Sequence, residues 1–427
     1  MSLVKPMNVK PRVTFYTLGC KLNQAETELL ARQFTDAGYC VVSEDRADIC
    51  ILNTCTVTHI ADRKSRHLLR LLRKKNPGAL VIATGCYAER APQELAQIGA
   101  DLAVGNEHKM HLLELIRERH GSVPYRPAGQ FVADGINRVR SFIKVQDGCN
   151  DFCAYCIVPE VRRQEYCLPV AEIINEVKAR ASAGYKEVVL TGTKIGAYKR
   201  NGDNLGRLVQ QILTDTKVER LHLSSLQPQE ISPELLSLWQ DHRLCHHFHL
   251  ALQSGSDDVL KRMRRHYSIA DYQEAVSLIR QAVPDAAITT DVIVGFPGES
   301  DEEFEQSYRF CREIDFANMH VFTYSPRPGT SAAKMSGQVG DRLKKERSLR
   351  MLELARQNAH RFCERFLGQN TRVLWEKEVA PGSGIYSGLS DNYIRVFIDS
   401  RQPLTSQLLQ VRLVGLHKQG VWGEVVK

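Results

Sequence analysis

The chain has 427 residues, 43% of them hydrophobic and 25% charged, ordinary proportions for a globular protein of about two to four domains. No apolar run approaches the roughly 20 residues of a membrane span and residues 1–10 lack an apolar signal core, so neither membrane insertion nor secretion is expected and a cytosolic, reducing location is. In such a compartment the 12 cysteines read as metal ligands or buried thiols rather than disulfides, and a net charge of +8 suits a polyanionic partner such as RNA.

In chain order, residues 13–17 read as a strand, 25–36 as a helix, and 49–53 and 80–84 as short buried strands, with helices between. This alternation predicts a doubly wound α/β domain over residues 1–130. Three of its strand ends finish at a cysteine: Leu18-Gly19-Cys20, Asn53-Thr54-Cys55 and Thr84-Gly85-Cys86. Ligands of parallel α/β sheets gather beyond the carboxyl ends of the strands. Cys20, Cys55 and Cys86 are therefore expected to converge, with Gly19 and Gly85 allowing close backbone approach. The arrangement predicts a metal cluster with three protein ligands; three unrelated buried thiols are the alternative. Arg63, Lys64, Arg66, Arg70, Arg73, Lys74 and Lys75 fall in the following helix. Lys261, Arg262, Arg264 and Arg265 form a second cationic cluster, and Arg342, Lys344, Lys345, Arg347 and Arg350 a third. Each alone suits a solvated helix face; three together point to nucleic acid.

Residues 120–135 read as a linker, marked by Gly121, Pro124, Pro127, Gly129 and Gly135. A second βα series follows, with strand-like runs at 141–146, 187–190, 220–223, 248–252, 287–294 and 317–322. Ser300 with Glu303, and Ser232 with Pro233, mark helix starts. Six such units predict a partial (β/α)6 barrel over residues 135–366, with active-site residues at the carboxyl ends of its strands. Directly after the first of these strands comes Gly148-Cys-Asn-Asp-Phe-Cys-Ala-Tyr-Cys156. Three thiolates that close in sequence can hold three irons of a 4Fe–4S cluster, which leaves the fourth iron open to a non-protein ligand. A zinc knuckle is the alternative, although zinc sites usually bring a second Cys or His pair nearby. Cys40, Cys50, Cys167, Cys245, Cys311 and Cys363 have no partner at ligand spacing and read mostly as buried small hydrophobes. His246, His247 and His249 share one predicted strand, the last two on one face, and read as packing.

From Gln369 the texture changes to short β runs at 371–377, 393–398, 408–414 and 420–426. They predict a small all-β, OB-like barrel over residues 367–427. Arg372, Lys377, Arg395, Arg412 and Lys418 on these runs are candidates for phosphate contact or ordinary outward-facing residues.

The Cys149–Cys156 spacing, with an aromatic residue before its last Cys, resembles the radical S-adenosylmethionine superfamily. With both cysteine sets, a six-unit barrel and a terminal β-barrel in this order, the whole chain resembles the methylthiotransferases of that superfamily. Thr17-Leu-Gly-Cys-Lys-Leu-Asn-Gln-Ala-Glu26 is similar to the branch acting on N6-threonylcarbamoyladenosine beside the tRNA anticodon. The isopentenyladenosine and ribosomal-protein branches, which are the alternatives, usually carry other residues there. A non-catalytic RNA-binding iron–sulfur protein is the reading from a different class. The last segment is similar to a TRAM domain, a small RNA-binding barrel.

The resemblance implies that Cys149, Cys153 and Cys156 hold a catalytic 4Fe–4S cluster and Cys20, Cys55 and Cys86 an auxiliary one. It implies S-adenosylmethionine contacts at Tyr155, Thr191, Gly192, Thr193, Ser224, Ser225, Gln253, Val294, Gly295 and Phe296. Arg162 would belong to the loop that meets the cofactor carboxylate or the substrate. Implied partners are tRNA, a flavodoxin- or ferredoxin-type reductant and a sulfur donor, with a monomer as the default state. The run Arg162-Arg163-Gln164-Glu165 departs from the usual Arg-Gly-Arg-Glu, and a lost glycine removes freedom for positive φ.

Overall fold

A computed structural model of the protein describes residues 11–42, 47–120 and 139–426; the expected linker, from Gly121 onward, lies outside them. The chain forms two compact units, residues 1–137 with 156–164, and residues 138–155 with 165–427. Residues 156–164, expected inside the central barrel, thus belong to the first unit, and the terminal β-barrel shares the second unit with the core.

In the first unit, β1 (Arg12–Thr17), β2 (Cys40–Val41), β3 (Ile49–Thr54), β4 (Leu80–Gly85) and β5 (Leu102–Val104) form a parallel sheet in the order β2-β1-β3-β4-β5. All six residues of β3 are buried, as befits the central strand of a parallel sheet covered on both faces. Leu30 and Phe34 of helix α1 (Lys21–Asp36) pack on one face with Leu112 and Ile116. Leu69 and Leu72 of helix α2 (His59–Lys75) pack on the other with Tyr87 and Leu95. Helix α1 begins four residues before the predicted start because Cys20 itself, with extended backbone, forms its N-terminal boundary.

In the second unit, β6 (Arg140–Lys144), β7 (Glu187–Thr191), β8 (Arg220–Leu223), β9 (His247–Leu250), β10 (Ala287–Val294) and β11 (Asn318–Thr323) run parallel. The short strand Ser225–Leu226 continues β8 and pairs with β9, so the six make one curved, partial barrel. Val188, Leu190, Leu221, Leu223, Phe248, Leu250 and Ile288 face the surrounding helices in the largest core. Alternation turns the opposite set inward, and beside Val189 that set is mostly polar: Glu187, Arg220, His222, His247, His249 and Thr289. Several of these side chains bond to one another. His222 Nε2 and His247 Nδ1 are 2.9 Å apart, and the Thr289 hydroxyl lies 3.1 Å from His247 and 3.0 Å from His249. The expected histidine packing therefore takes the form of a hydrogen-bonded chain inside the barrel.

The terminal segment closes into a five-stranded barrel, β12 (Asn370–Glu378), β13 (Ile385–Ser390), β14 (Arg395–Asp399), β15 (Leu408–His417) and β16 (Gly420–Val425), in the order β12-β13-β14-β16-β15. Four strands were legible in the sequence; β13, with Ser387, Gly388 and Ser390, was not. A Cβ on Gly388 would lie 2.6 Å from the Leu374 carbonyl oxygen, so the glycine marks a close approach of the paired strands β12 and β13, where their register shifts. Helix α3 (Asp341–Glu364) serves both parts of the unit, with Met351 and Leu354 in the large core and Phe362 in the terminal one.

Tyr393, in the turn between β13 and β14, has φ +64° and enters the amino-terminal mouth of the partial barrel. Its ring stacks on both His222 and His247 at 4.4 Å, and its hydroxyl bonds to Glu187. Arg220 of β8 pairs with Glu187 at 3.0 Å and donates to the Leu389 and Ser390 carbonyls. Burial first, and then the Glu187 charge, raises the phenol well above its ordinary value of 10.0. The folded protein thus keeps this proton at pH values where the unfolded chain loses it, and stability falls as pH rises past 10. Tyr393→Phe is expected to remove about one proton from that dependence, roughly 1.4 kcal/mol per pH unit, read from urea midpoints between pH 9 and 11; an unchanged slope would contradict the assignment.

Candidate functional site

The three strand-end cysteines of the first unit converge. Cys20, Cys55 and Cys86 are free thiols. Burial is the largest influence on Cys20 and Cys55, raising both, the latter to about 12; the charge of Cys86 raises each further. The backbone is built for this approach. Gly19 has φ +105°, and a Cβ there would lie 2.7 Å from Cys55 Cβ. Gly85 has φ +93°, and its Cβ would lie 2.4 Å from Asn53 Oδ1 and 2.6 Å from the Thr54 carbonyl oxygen. Gly85→Ala is accordingly expected to destabilise the first unit by roughly 2–4 kcal/mol, measured by urea unfolding; a cost below about 0.5 kcal/mol, the usual size of a surface change, would contradict it.

Asn23 ties the site together. Its amide donates to the Leu18 carbonyl at 2.8 Å and the Thr54 carbonyl at 3.1 Å. Its Oδ1 accepts from Arg162 Nη2 at 3.0 Å and faces Cys20 Sγ at 3.9 Å. Arg162 also grips both oxygens of Glu26, at 2.9 and 3.0 Å, and Lys109 Nζ binds the same carboxylate at 2.5 Å. All three charged side chains are buried. Two cationic side chains share one carboxylate beside the thiols, and Arg162 acts to lower the Cys20 thiol. Asn106 donates to Cys86 Sγ at 3.6 Å and to the Val161 carbonyl at 2.7 Å, while Ile157 and Val161 pack on Cys86. The segment after Cys156 is thus built into the Cys86 surroundings. Arg163, where a glycine was expected, is not among the positive-φ residues, so the altered loop needs no left-handed backbone there.

In the second unit the Cys149–Cys153 loop follows β6 at the carboxyl end of the barrel, as expected of an active site. Burial raises the Cys149 thiol to about 11. Cys153 Sγ accepts from Arg265 Nη1 at 3.1 Å. Arg265 also donates to Gln227 Oε1 at 3.2 Å, Gln227 donates to Asp151 at 3.0 Å, and Lys194 Nζ donates to the other Asp151 oxygen at 2.8 Å. This ring clamps the loop between its first two cysteines. Sequence reasoning missed Asp151, Lys194 and Gln227, and placed Arg265 in a cationic patch; its side chain turns inward instead.

The other expected cofactor contacts spread over the same barrel end. Thr191 closes β7, and Gly192 follows where a Cβ would lie 2.8 Å from the Gln146 carbonyl oxygen. Thr193 donates to Asp147 Oδ1 at 3.4 Å. The buried Ser224 hydroxyl has no partner among the described residues, as suits a group that serves a ligand, whereas Ser225 is exposed. Gln253 has φ +67° and exchanges backbone bonds with Asp291 and Ile293. Val294, Gly295 and Phe296 form the turn after β10. Gly295 N donates to Glu299 Oε1 at 2.9 Å, and Arg347 holds that carboxylate at 2.6 Å. Phe296 is fully buried against Ala154 and Tyr324, with Tyr155 at the edge of the same cluster. Arg162 belongs to the first unit. Soft thiolates in threes, glycines that make room for bulk and an orphaned buried hydroxyl fit iron–sulfur clusters and a polar cofactor. Among the described residues, no helix is long and apolar enough to cross a membrane.

Residues 143–311 match the Radical SAM superfamily and residues 12–105 match a family described as uncharacterized protein family UPF0004. The threonylcarbamoyladenosine tRNA methylthiotransferase MtaB of Aquifex aeolicus is 41% identical over 381 residues, covering 85% of this chain and 92% of that protein. The protein of the same name from Thermotoga maritima is 36% identical over 420 residues, 96% of each chain. A solved structure of the radical S-adenosylmethionine methyltransferase TsrM from Kitasatospora setae, with cobalamin and a [4Fe-4S] cluster bound, aligns with a TM-score of 0.57 at 15% identity, covering 89% of this chain and 81% of that one. That likeness shows the fold alone.

Proposed function

The chain belongs to the threonylcarbamoyladenosine tRNA methylthiotransferase family, and on that premise we propose that it adds a methylthio group at C2 of N6-threonylcarbamoyladenosine in tRNA. The observation that carries this reading is the pair of cysteine triads, one made by three strand ends and one in the loop after the first barrel strand. Cys149, Cys153 and Cys156 hold the catalytic cluster, and Cys20, Cys55 and Cys86 the auxiliary one. When bound, the clusters and S-adenosylmethionine supply the electrons, the radical and the sulfur that an unactivated aromatic C–H demands and no side chain provides.

The chain's own residues have holding and orienting tasks. Arg265 places a positive charge on the Cys153 sulfur, and Asp151, Lys194 and Gln227 fix that loop. The backbone of Thr191 to Thr193 and of Val294 to Phe296, with Ser224, Ser225, Gln253 and Tyr155, lines the S-adenosylmethionine site. Arg162 and Lys109 offset the negative charge that three thiolates bring to the auxiliary site. The protein works as a monomer in the cytosol, drawing electrons from a flavodoxin- or ferredoxin-type protein and sulfur from a separate donor.

Nucleoside mass spectrometry tests the reading. Anaerobically reconstituted protein would be given S-adenosylmethionine, a reductant and tRNA carrying either threonylcarbamoyladenosine or isopentenyladenosine. A methylthio mass gain on the first base is the expected result. A gain only on the second overturns the substrate branch. No gain on either base, with 5′-deoxyadenosine still formed, moves the substrate to a protein side chain, and no 5′-deoxyadenosine at all leaves an RNA-binding iron–sulfur protein.

A further inference from the structure

Of the three cationic clusters in the sequence, two are partly consumed by the fold, which leaves Lys261 and Arg264 exposed in one and Arg342 and Lys345 in the other. Arg262 pairs with Glu303 at 2.7 Å and Arg265 is turned to Cys153. On α3, Arg347 pairs with Glu299 and Asp301, Arg350 with Glu305, and Lys344 with Asp341. Helix α2 differs. Its inner arginines are paired, Arg66 with Glu94 and Arg73 with Asp101, and the one acid of its first turn, Asp62, is buried against Arg90. Its outer face keeps Arg63, Lys64, Arg70 and Lys74 exposed, none with an acidic partner among the described residues. Arg63 and Lys64 stand in the half of the helix nearer its positive end, where the macrodipole gives a cation nothing, so helix stability does not account for them.

Arg63, His67, Arg70 and Lys74 recur at intervals of four, three and four, which places them on one face. From Arg63 to Lys74 is about 16 Å at 1.5 Å per residue, or about five phosphates at the 3.4 Å spacing of a stacked strand. The stripe ends at a depression of about 430 Å³ lined by Leu18, Arg63, Lys64, His67 and Leu68. Leu18 lies two residues before Cys20, so the cationic rail leads to the auxiliary cysteines. An apolar floor, an imidazole and a cationic rim suit an unstacked base flanked by its phosphate.

We infer that the outer face of α2 binds the substrate RNA: phosphates of its single-stranded loop lie along Arg63, Lys64, Arg70 and Lys74, and a splayed base enters the Leu18–Leu68 depression. This rests on the tRNA reading above. The test measures tRNA affinity of the reconstituted holoprotein against KCl concentration. Arg70→Ala should lower the slope of log affinity against log salt by about 0.7–0.9, and Arg70→Glu with Lys74→Glu should weaken binding more than about tenfold. Arg342→Glu with Lys345→Glu on α3 should weaken binding less than the α2 pair does. Iron content and circular dichroism of each variant check its folding. Parent-like affinity and slope in the α2 variants, with the parent binding tRNA in a salt-sensitive way, overturn this inference and leave the tRNA reading standing. A parent protein that binds no tRNA overturns both.

Discussion

Cys86→Ser is expected to abolish the methylthio product while leaving reductive formation of 5′-deoxyadenosine from S-adenosylmethionine. The two triads sit on different parts of the chain, and only the Cys149 loop carries the fold's expected cofactor end. Loss of product should exceed about 100-fold, since even outer-shell partners of a metal ligand are worth about 10–100-fold. Iron per chain should fall toward one cluster's share. The variant should stay folded, because Cys86 opens a short helix whose neighbours Tyr87 and Ala88 carry the packing. Equal loss of product and of 5′-deoxyadenosine would remove the division of labour between the triads. Undiminished product would remove Cys86 from the ligand set.

Glu26→Ala should be the most destabilising single change in the first unit. The carboxylate is shared by Arg162 and Lys109, and all three side chains are buried. Burial already drives the Lys109 amine down, with Glu26 as its chief opposing influence. Removing the acid leaves two buried cations facing each other, a loss of about 3–5 kcal/mol by the measure of broken buried pairs. The folded amine would then be driven down further, so the unfolded chain binds more protons below pH 10.5, and the variant should regain stability as pH rises. Urea midpoints at pH 7 and pH 9.5 read both effects. Adding Lys109→Met should recover part of the loss by removing one stranded charge. A Glu26→Ala protein as stable as the parent would mean that the cations find water, and the buried-cluster account would fail.

The Cys20, Cys55 and Cys86 convergence was legible because the rule for parallel sheets specifies where strand ends meet, and three cysteines stood at three such ends. The six-strand core was legible from its apolar runs. What sequence pattern could not give was direction. Arg265 and Arg70 look alike in a row of basic residues, yet one turns to a cysteine and the other to solvent; only the acids and sulfurs that the fold brings near each decide. Arg162, a loop residue in the sequence, is gripped by Glu26, distant in sequence, which no pattern announces. The same limit hid β13, whose small residues answer to a close approach to β12 rather than to a hydrophobic period, and Tyr393, whose left-handed turn breaks the run in which it was read as a strand start.

Tyr393 also sets an order of events during synthesis. The residues it contacts on β6, β7 and β8 leave the ribosome long before it does: Arg140 and Tyr393 are 253 residues apart. At about 5–20 residues per second Arg140 precedes Tyr393 by roughly 13–50 s, and until Tyr393 arrives the lower mouth of the nascent core stays open, its histidines and Arg220 hydrated. A ribosome stalled before the β13–β14 turn therefore holds a core that has its cysteines but not its floor.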